Sequence, residues 1–170
     1  GTDGYIDRAS VDLNSYYLQG GYFAENTSVK LIAFAGKEKT YHAWGYATKD
    51  QMEKFGRRYN PCGEMYTDAN GKKYYYDDQT DNYLQKNYQL LFNHTFSTAW
   101  NLNVALHYTK GDGYYEEYKD GRYLIEYGLK PFTIDGTEVS KSDLVRQKKM
   151  DNKFGGGVFS LNYTANRLNA

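Results

Sequence analysis

The sequence predicts an all-β chain, an antiparallel up-and-down meander of about five long strands joined by short turns and two long loops. Three observations carry this. Several stretches alternate apolar and polar residues with a period of two, the signature of a strand with two different faces. The links between these stretches run short, long, short, long, and short links between antiparallel neighbours are hairpins. Charge is also partitioned. Residues 37–85 and 110–153 hold 34 of the 42 Asp, Glu, Lys and Arg residues, whereas 87–109 and 154–166 hold none.

The strands are placed near 9–23, 28–38, 86–96, 100–112 and 152–165, with long loops at 39–85 and 113–151. In the fourth strand Trp100, Leu102, Val104, Leu106 and Tyr108 alternate with Asn101, Asn103, Ala105, His107 and Thr109. In the third, Tyr88, Leu90, Phe92, His94 and Phe96 oppose Asn87, Gln89, Leu91, Asn93 and Thr95, and in the fifth Phe159, Leu161 and Tyr163 oppose Ser160, Asn162 and Thr164. Val29–Ala35 is apolar on both faces apart from Lys30, so its facing stays open. The first strand changes phase near Tyr16–Leu18, where a bulge or bend fits. Thr48 and Gln51 form a capping-box pattern that opens a short helix over Lys49–Phe55, closed by Gly56. Asp68-Ala69-Asn70-Gly71 predicts a small hairpin between Glu64–Thr67 and Lys72–Tyr76. Ser140 with Asp143 predicts a second helix running to about Lys149.

The composition excludes several classes. No stretch approaches the ~20 apolar residues of a membrane helix. Zero net charge leaves no footprint for nucleic acid. A single cysteine, Cys62, excludes an internal disulfide framework. His42, His94 and His107 form no ligand motif, and no metal, cofactor or enzymatic chemistry is expected. Asp77, Asp78 and Asp81 read as a solvated acidic turn beside Lys72 and Lys73 rather than a Ca²⁺ site. Gly155-Gly156-Gly157 reads as close backbone approach or strand curvature.

One apolar face per strand fits a soluble sheet over a core, and it also fits a transmembrane β-barrel with lipid outside and a wet lumen inside. Strands of this length match the ~9–11 residues a tilted strand needs to span a bilayer. The second face is neutral-polar, aromatics sit near the strand ends, and all short turns fall at one end. The chain opens Gly-Thr-Asp-Gly without an initiator Met, and five strands are fewer than the ~8 that close a barrel. The expectation is an internal piece of a longer wall.

Tyr88–Tyr118, reading YQLLFNHTFSTAWNLNVALHYTKGDGYYEEY, resembles a strand–turn–strand of TonB-dependent outer-membrane receptors of the Bacteroidetes type. RRYNPCGEMY, DANGKKYYYDDQTDNY and DLVRQKKMDNKF resemble further segments in the same order, although Lys149-Met150 departs from the more hydrophobic version of the last. The resemblance implies a barrel of about 22 strands with an N-terminal plug. It implies a place in the bacterial outer membrane, contact with lipid, and active uptake of a metal chelate, vitamin or glycan. The inner-membrane TonB complex would act through a plug absent from this chain, and a surface lipoprotein is a further partner of such receptors. No residue role transfers.

The ligand-binding candidates are the loop aromatics Trp44, Tyr74, Tyr75, Tyr76, Tyr114, Tyr115 and Tyr118, because aromatic rings offer large amphipathic contact area at low entropic cost. Thirteen of the 20 Tyr residues lie in the two charged segments. Alternation sends Tyr74 and Tyr76 one way and Tyr75 the other. The alternative class is a soluble, secreted, aromatic-rich carbohydrate-binding module, which predicts a chain that folds alone as a monomer. A piece of barrel wall predicts self-association through sheet edges and its apolar face.

Overall fold

The computed structural model describes residues 1–164. Strands take up 65% of the described residues and helices 7%, so the class is all-β. In chain order the elements are β1 (Thr2–Asp3), β2 (Ser10–Phe23), β3 (Thr27–Tyr41), α1 (Lys49–Phe55), β4 (Glu64–Thr67), β5 (Lys73–Tyr75), β6 (Thr80–Thr95), β7 (Trp100–Tyr123), a 3₁₀ turn (Leu124–Tyr127), β8 (Phe132–Ile134), β9 (Thr137–Val139) and β10 (Lys141–Tyr163). One six-stranded antiparallel meander runs β1-β2-β3-β6-β7-β10, and β4-β5 and β8-β9 are separate two-stranded hairpins. β2 runs unbroken through the phase change at Tyr16–Leu18. The last predicted strand residue, 165, and the turn expected after it lie outside the described residues.

The local signals act through specific bonds. Thr48 accepts from Gln51 N at 3.2 Å, Gln51 returns a bond to Thr48 N at 2.9 Å, and Gly56, at φ 90, donates to Met52 O at 2.9 Å. The Asp68 carboxylate accepts from Asn70 N and Lys72 N, both at 2.9 Å, which closes the β4–β5 turn. Asp135 and Gly136, at φ 48 and φ 77, turn β8 into β9.

Two expectations fail. The loops are shorter than charge density implies, because β7 continues to Tyr123 and β10 begins at Lys141. No helix forms at 140–149, where β10 runs from Lys141 onward. Asp143 gives its carboxylate to Gly121 N at 2.9 Å and to the Tyr118 hydroxyl at 2.6 Å instead of capping its own chain. Leu144, Arg146 and Lys148 then alternate with Asp143, Val145 and Gln147, as a strand requires.

The chain divides into two compact units. The first holds residues 1–12, 38–82 and 114–149; the second holds 13–37, 83–113 and 150 onward. The first unit contains Tyr41, Tyr59, Cys62 and Leu124 as buried apolar residues, with Asn60, Thr80 and Glu117 buried among them. Among the described apolar residues of the second unit only Ala35 is buried, and Leu18, Leu31, Val158, Phe159 and Leu161 are each 59% exposed or more. Its sheet therefore has no covering layer among the described residues.

The two faces of that sheet differ. On one, Asn93 donates to Asn103 at 2.6 Å and Asn101 to Thr95 at 3.0 Å, while Thr109 donates to Asn87 at 2.8 Å. Ser28 and Lys30 line a hollow of ≈ 420 Å³ on this side with Asn93, Asn103 and Ser160. On the other, Leu31 and Ala33 line a hollow of ≈ 610 Å³ with Tyr88, Leu90, Leu106 and Tyr108, and the Thr27 hydroxyl stands 2.7 Å from His94 Nδ1, which sets the odd-numbered residues of β3 on this side. Trp100 lies 4.7 Å from Tyr163 on that side. A Cβ on Gly156 would stand 2.8 Å from His107 Nε2, and one on Gly157 2.7 Å from Leu106 Cδ2, so the glycine run admits close approach of β7 and β10.

Candidate functional site

The seven aromatic candidates belong to the first unit, but they do not converge on one surface. Trp44 stacks on His42 at 4.4 Å and meets Tyr115 edge-on at 4.6 Å. Tyr76 and Tyr118 pair at 6.3 Å, with Tyr114 within electrostatic reach of Tyr76 and Lys39. Tyr74 stacks on Tyr66 at 4.7 Å and lies under the Lys72 ammonium. Tyr75 lies under the Arg8 guanidinium at 3.4 Å. Tyr114, Tyr115 and Tyr118 sit on β7 rather than in a loop. The opposite facing of Tyr75 from its neighbours follows from the pleat.

Arg8 organises one side of this unit. At φ 62 it turns its side chain inward, where Nη2 donates to Asn60 O and, at 3.3 Å, to Cys62 O. Asn60, 1% exposed, donates to Asp7 O at 3.0 Å and His42 O at 3.2 Å, and accepts from Cys62 N at 3.0 Å. The Tyr41 hydroxyl stands 3.1 Å from Cys62 O and 3.0 Å from Tyr76 O. Glu64 pairs with Lys73 and accepts from Tyr59 at 2.8 Å. Burial opposes the Glu64 charge, but Lys73 and Tyr59 outweigh it and lower its pKa. These contacts fix the hairpin β4–β5 and the segment before it.

The second organiser is Glu117 on β7, 7% exposed. Lys119 Nζ stands 2.9 Å from its Oε2, Arg146 donates Nε–H at 2.8 Å and Nη2–H to Oε1, and Lys148 Nζ is 3.4 Å from Oε1. Burial pushes the carboxyl up, yet bonds from Lys119 and Arg146 bring it down to about 2. The opposite face of the same strands differs. There Glu116 accepts from Tyr76 and Gln147, and Asp143 accepts from Tyr118 and Gly121 N. Lys148 lies 5.9 Å over the Tyr115 ring, which joins the Glu117 cluster to Trp44 and His42. Burial, then the Glu117 charge, raises the Tyr115 hydroxyl to about 12.

His42 Nε2 and Asp81 Oδ2 stand 3.7 Å apart, too far for a hydrogen bond, and Nε2 and Asp81 Oδ1 are buried without hydrogen-bond partners. Among the described residues no three His, Cys, Asp or Glu side chains group as metal ligands, and Asp78 is paired with Lys39 at 3.0 Å. Among them, too, no helix is long and apolar enough to cross a membrane, which leaves strands untouched by that criterion. Arg8, Asn60 and the Glu117 cluster escape sequence reasoning. Arg8 meets Asn60 across 52 positions, and the charges near Glu117 read as a solvated loop until β7 and β10 are seen to pair.

Compared with models of protein families, with curated proteins and with solved structures, the chain has no match.

Proposed function

We propose that the chain is part of the wall of a bacterial outer-membrane β-barrel, of the TonB-dependent receptor class, that takes up a nutrient such as a metal chelate, vitamin or glycan. One observation carries this reading. The second unit is a sheet with one face bonded through Asn and Thr side chains, beside Lys30, and an opposite apolar face that no layer covers among the described residues. In water such a face costs about 25 cal/mol for each Å² left exposed, and in a bilayer that cost disappears. The amide face suits a wet lumen, where every polar group finds water or a neighbour. The turns at 24–26 and 96–99 are short, and each is closed by its own bonds: Ala24 N donates to Thr27 O at 2.8 Å and Phe96 N to Trp100 O at 3.0 Å. The residues between β3 and β6, and between β7 and β10, build hairpins and helical turns instead. That asymmetry matches short periplasmic turns and long outer loops. The sequence resemblance to TonB-dependent receptors supports the class, with lipid, a plug-borne link to the TonB complex and a surface lipoprotein as its partners.

The test is topological. In a Cys62→Ser background, single cysteines at Ala69 and at Thr98 are exposed to a membrane-impermeant maleimide on intact cells carrying the parent protein. The reading expects labelling at 69 without lysis and at 98 only after it. Labelling at 98 on intact cells overturns it.

A further inference from the structure

Around Glu117 the charge is locally unbalanced. On the pair β7–β10, the face carrying Glu117 also carries Lys119, Arg146 and Lys148, three cations around one carboxylate. On the opposite face Glu116 and Asp143 take hydrogen bonds from tyrosine hydroxyls, Gln147 and a backbone N–H, and Lys141 and Lys149 alternate onto that face of β10. The cationic face therefore holds more positive charge than its single carboxylate neutralises. The depth of the groups matters as well. Glu117 is the most buried, with 10% of its side chain exposed, against 24% for Lys119, 32% for Arg146 and 58% for Lys148. The carboxylate lies beneath and the cations stand above it. Lys119 and Lys148 are held to Glu117 as ion pairs at 2.9 and 3.4 Å, and each ammonium carries three N–H donors. Beside them, Lys148 overhangs Tyr115, and Trp44, 47% exposed, meets the Tyr115 ring edge-on.

We propose that Lys119, Arg146 and Lys148, with Tyr115 and Trp44 beside them, form a binding site for an oxyanion-bearing ligand that also presents C–H surface, an acidic sugar or an organic polycarboxylate. The cations supply charge-assisted hydrogen bonds, and Arg146 supplies a planar fork. The rings supply apolar contact next to the charge. Glu117 holds the three cations in place and at the same time sets how much positive charge they present. The inference deepens the uptake reading by naming its ligand class, and it rests on that reading for its place in uptake. The binding itself requires no membrane.

The experiment uses the full chain in neutral detergent with Trp100→Phe, so that Trp44 is the only tryptophan. Its fluorescence is titrated with a sulfated disaccharide, the unsulfated disaccharide and citrate. The proposal expects a saturable response to at least one of the two anions and none to the unsulfated sugar. A response to the sulfated sugar alone assigns an acidic glycan, and to citrate alone a polycarboxylate; a response to both shows that charge alone is read. Lys148→Gln, at an exposed position, weakens binding about fivefold, and Lys72→Gln, remote from the cluster, leaves it unchanged. Glu117→Gln, where it folds, strengthens binding, an effect that a merely structural carboxylate would not produce. No response to either anion, an equal response to the uncharged sugar, or unchanged affinity in Lys148→Gln overturns the proposal. Failure here leaves the cysteine-labelling result intact, and inverted labelling leaves this binding intact, so the two readings fail separately.

Discussion

Arg146 and Glu117 face each other across β7 and β10, and the guanidinium donates both Nε–H and Nη2–H to one carboxylate oxygen. The same carboxylate also holds Lys119 and Lys148. Breaking a buried pair costs more than breaking an exposed one, and this site lies between those limits. Glu117→Gln is expected to destabilise the folded chain by about 2 kcal/mol. The pH dependence follows from the sign of the shift. The folded pKa of about 2 lies below the ordinary 4.5, so the stabilisation is present above pH 4.5 and is lost as pH falls toward 2. Melting curves in detergent between these values should fall more steeply for the native chain than for Glu117→Gln.

Five phenols should titrate late: burial raises Tyr41 and Tyr59, and three more are held up as well. Hydrogen bonds to Glu116 and Asp143 hold Tyr76 and Tyr118 at about 12, and burial holds Tyr115 there. The unfolded chain loses these protons near pH 10, so their contribution to stability is whole below 10 and disappears as pH rises through 12. Absorbance at the phenolate band should show fewer tyrosines ionising near pH 10 in the folded chain than in denaturant, with Tyr59, Tyr76, Tyr115 and Tyr118 among those delayed. Tyr76→Phe should remove one of them.

Gly111 and Tyr83 share one space. A Cβ on Gly111 would stand 1.9 Å from the Tyr83 hydroxyl oxygen. Gly111→Ala must therefore displace the ring, at a cost of about 1–3 kcal/mol. Tyr83→Ala in the same chain should remove most of that penalty, giving a coupling energy in a double-mutant cycle of denaturation.

Cys62 should be a folding reporter. It is buried, its sulfur accepts from Gly45 N at 3.1 Å, and its backbone is held by Asn60 and Arg8. Reaction with a small maleimide should be slow in the folded chain and fast in denaturant. Arg8→Lys, which loses the planar fork, should accelerate it by loosening this segment by about 1–3 kcal/mol.

The apolar sheet face predicts behaviour in solution. Without detergent the chain should associate, as an uncovered face and open edges require. Leu161→Arg, on that face, should cost about 2–4 kcal/mol of stability in lipid if it lies near mid-bilayer, whereas Ser160→Arg, on the amide face, should cost little. Heat-dependent gel mobility in lipid checks both.

Legibility in the sequence depended on how local the determining contacts are. The capping box at Thr48 and Gln51 and the turn at Asp68–Gly71 are closed by bonds within a few residues, so their spacing sufficed. The alternation in β6 and β7 was legible because each face is chemically uniform. The ends of β7 and β10 were not, because charge there resembles loop composition while pairing across the strands satisfies it. Asp143 carries a helix-cap signal locally, yet Gly121 and Tyr118 compete for its carboxylate from another strand. The aromatic candidates were chosen by composition, whereas which ring meets which depends on contacts such as Arg8 on Tyr75 and Trp44 on Tyr115.

The central claim is that one face of the second unit lies against lipid. Brominated lipids quench only tryptophans in contact with acyl chains. With Trp44 and Trp100 replaced by Phe, a tryptophan is placed at Leu106 on the apolar face or at Ala105 on the amide face of the protein in brominated bilayers. Strong quenching at 106 and weak quenching at 105 is the result this account predicts. Equal quenching at the two positions, or stronger quenching at 105, would contradict it.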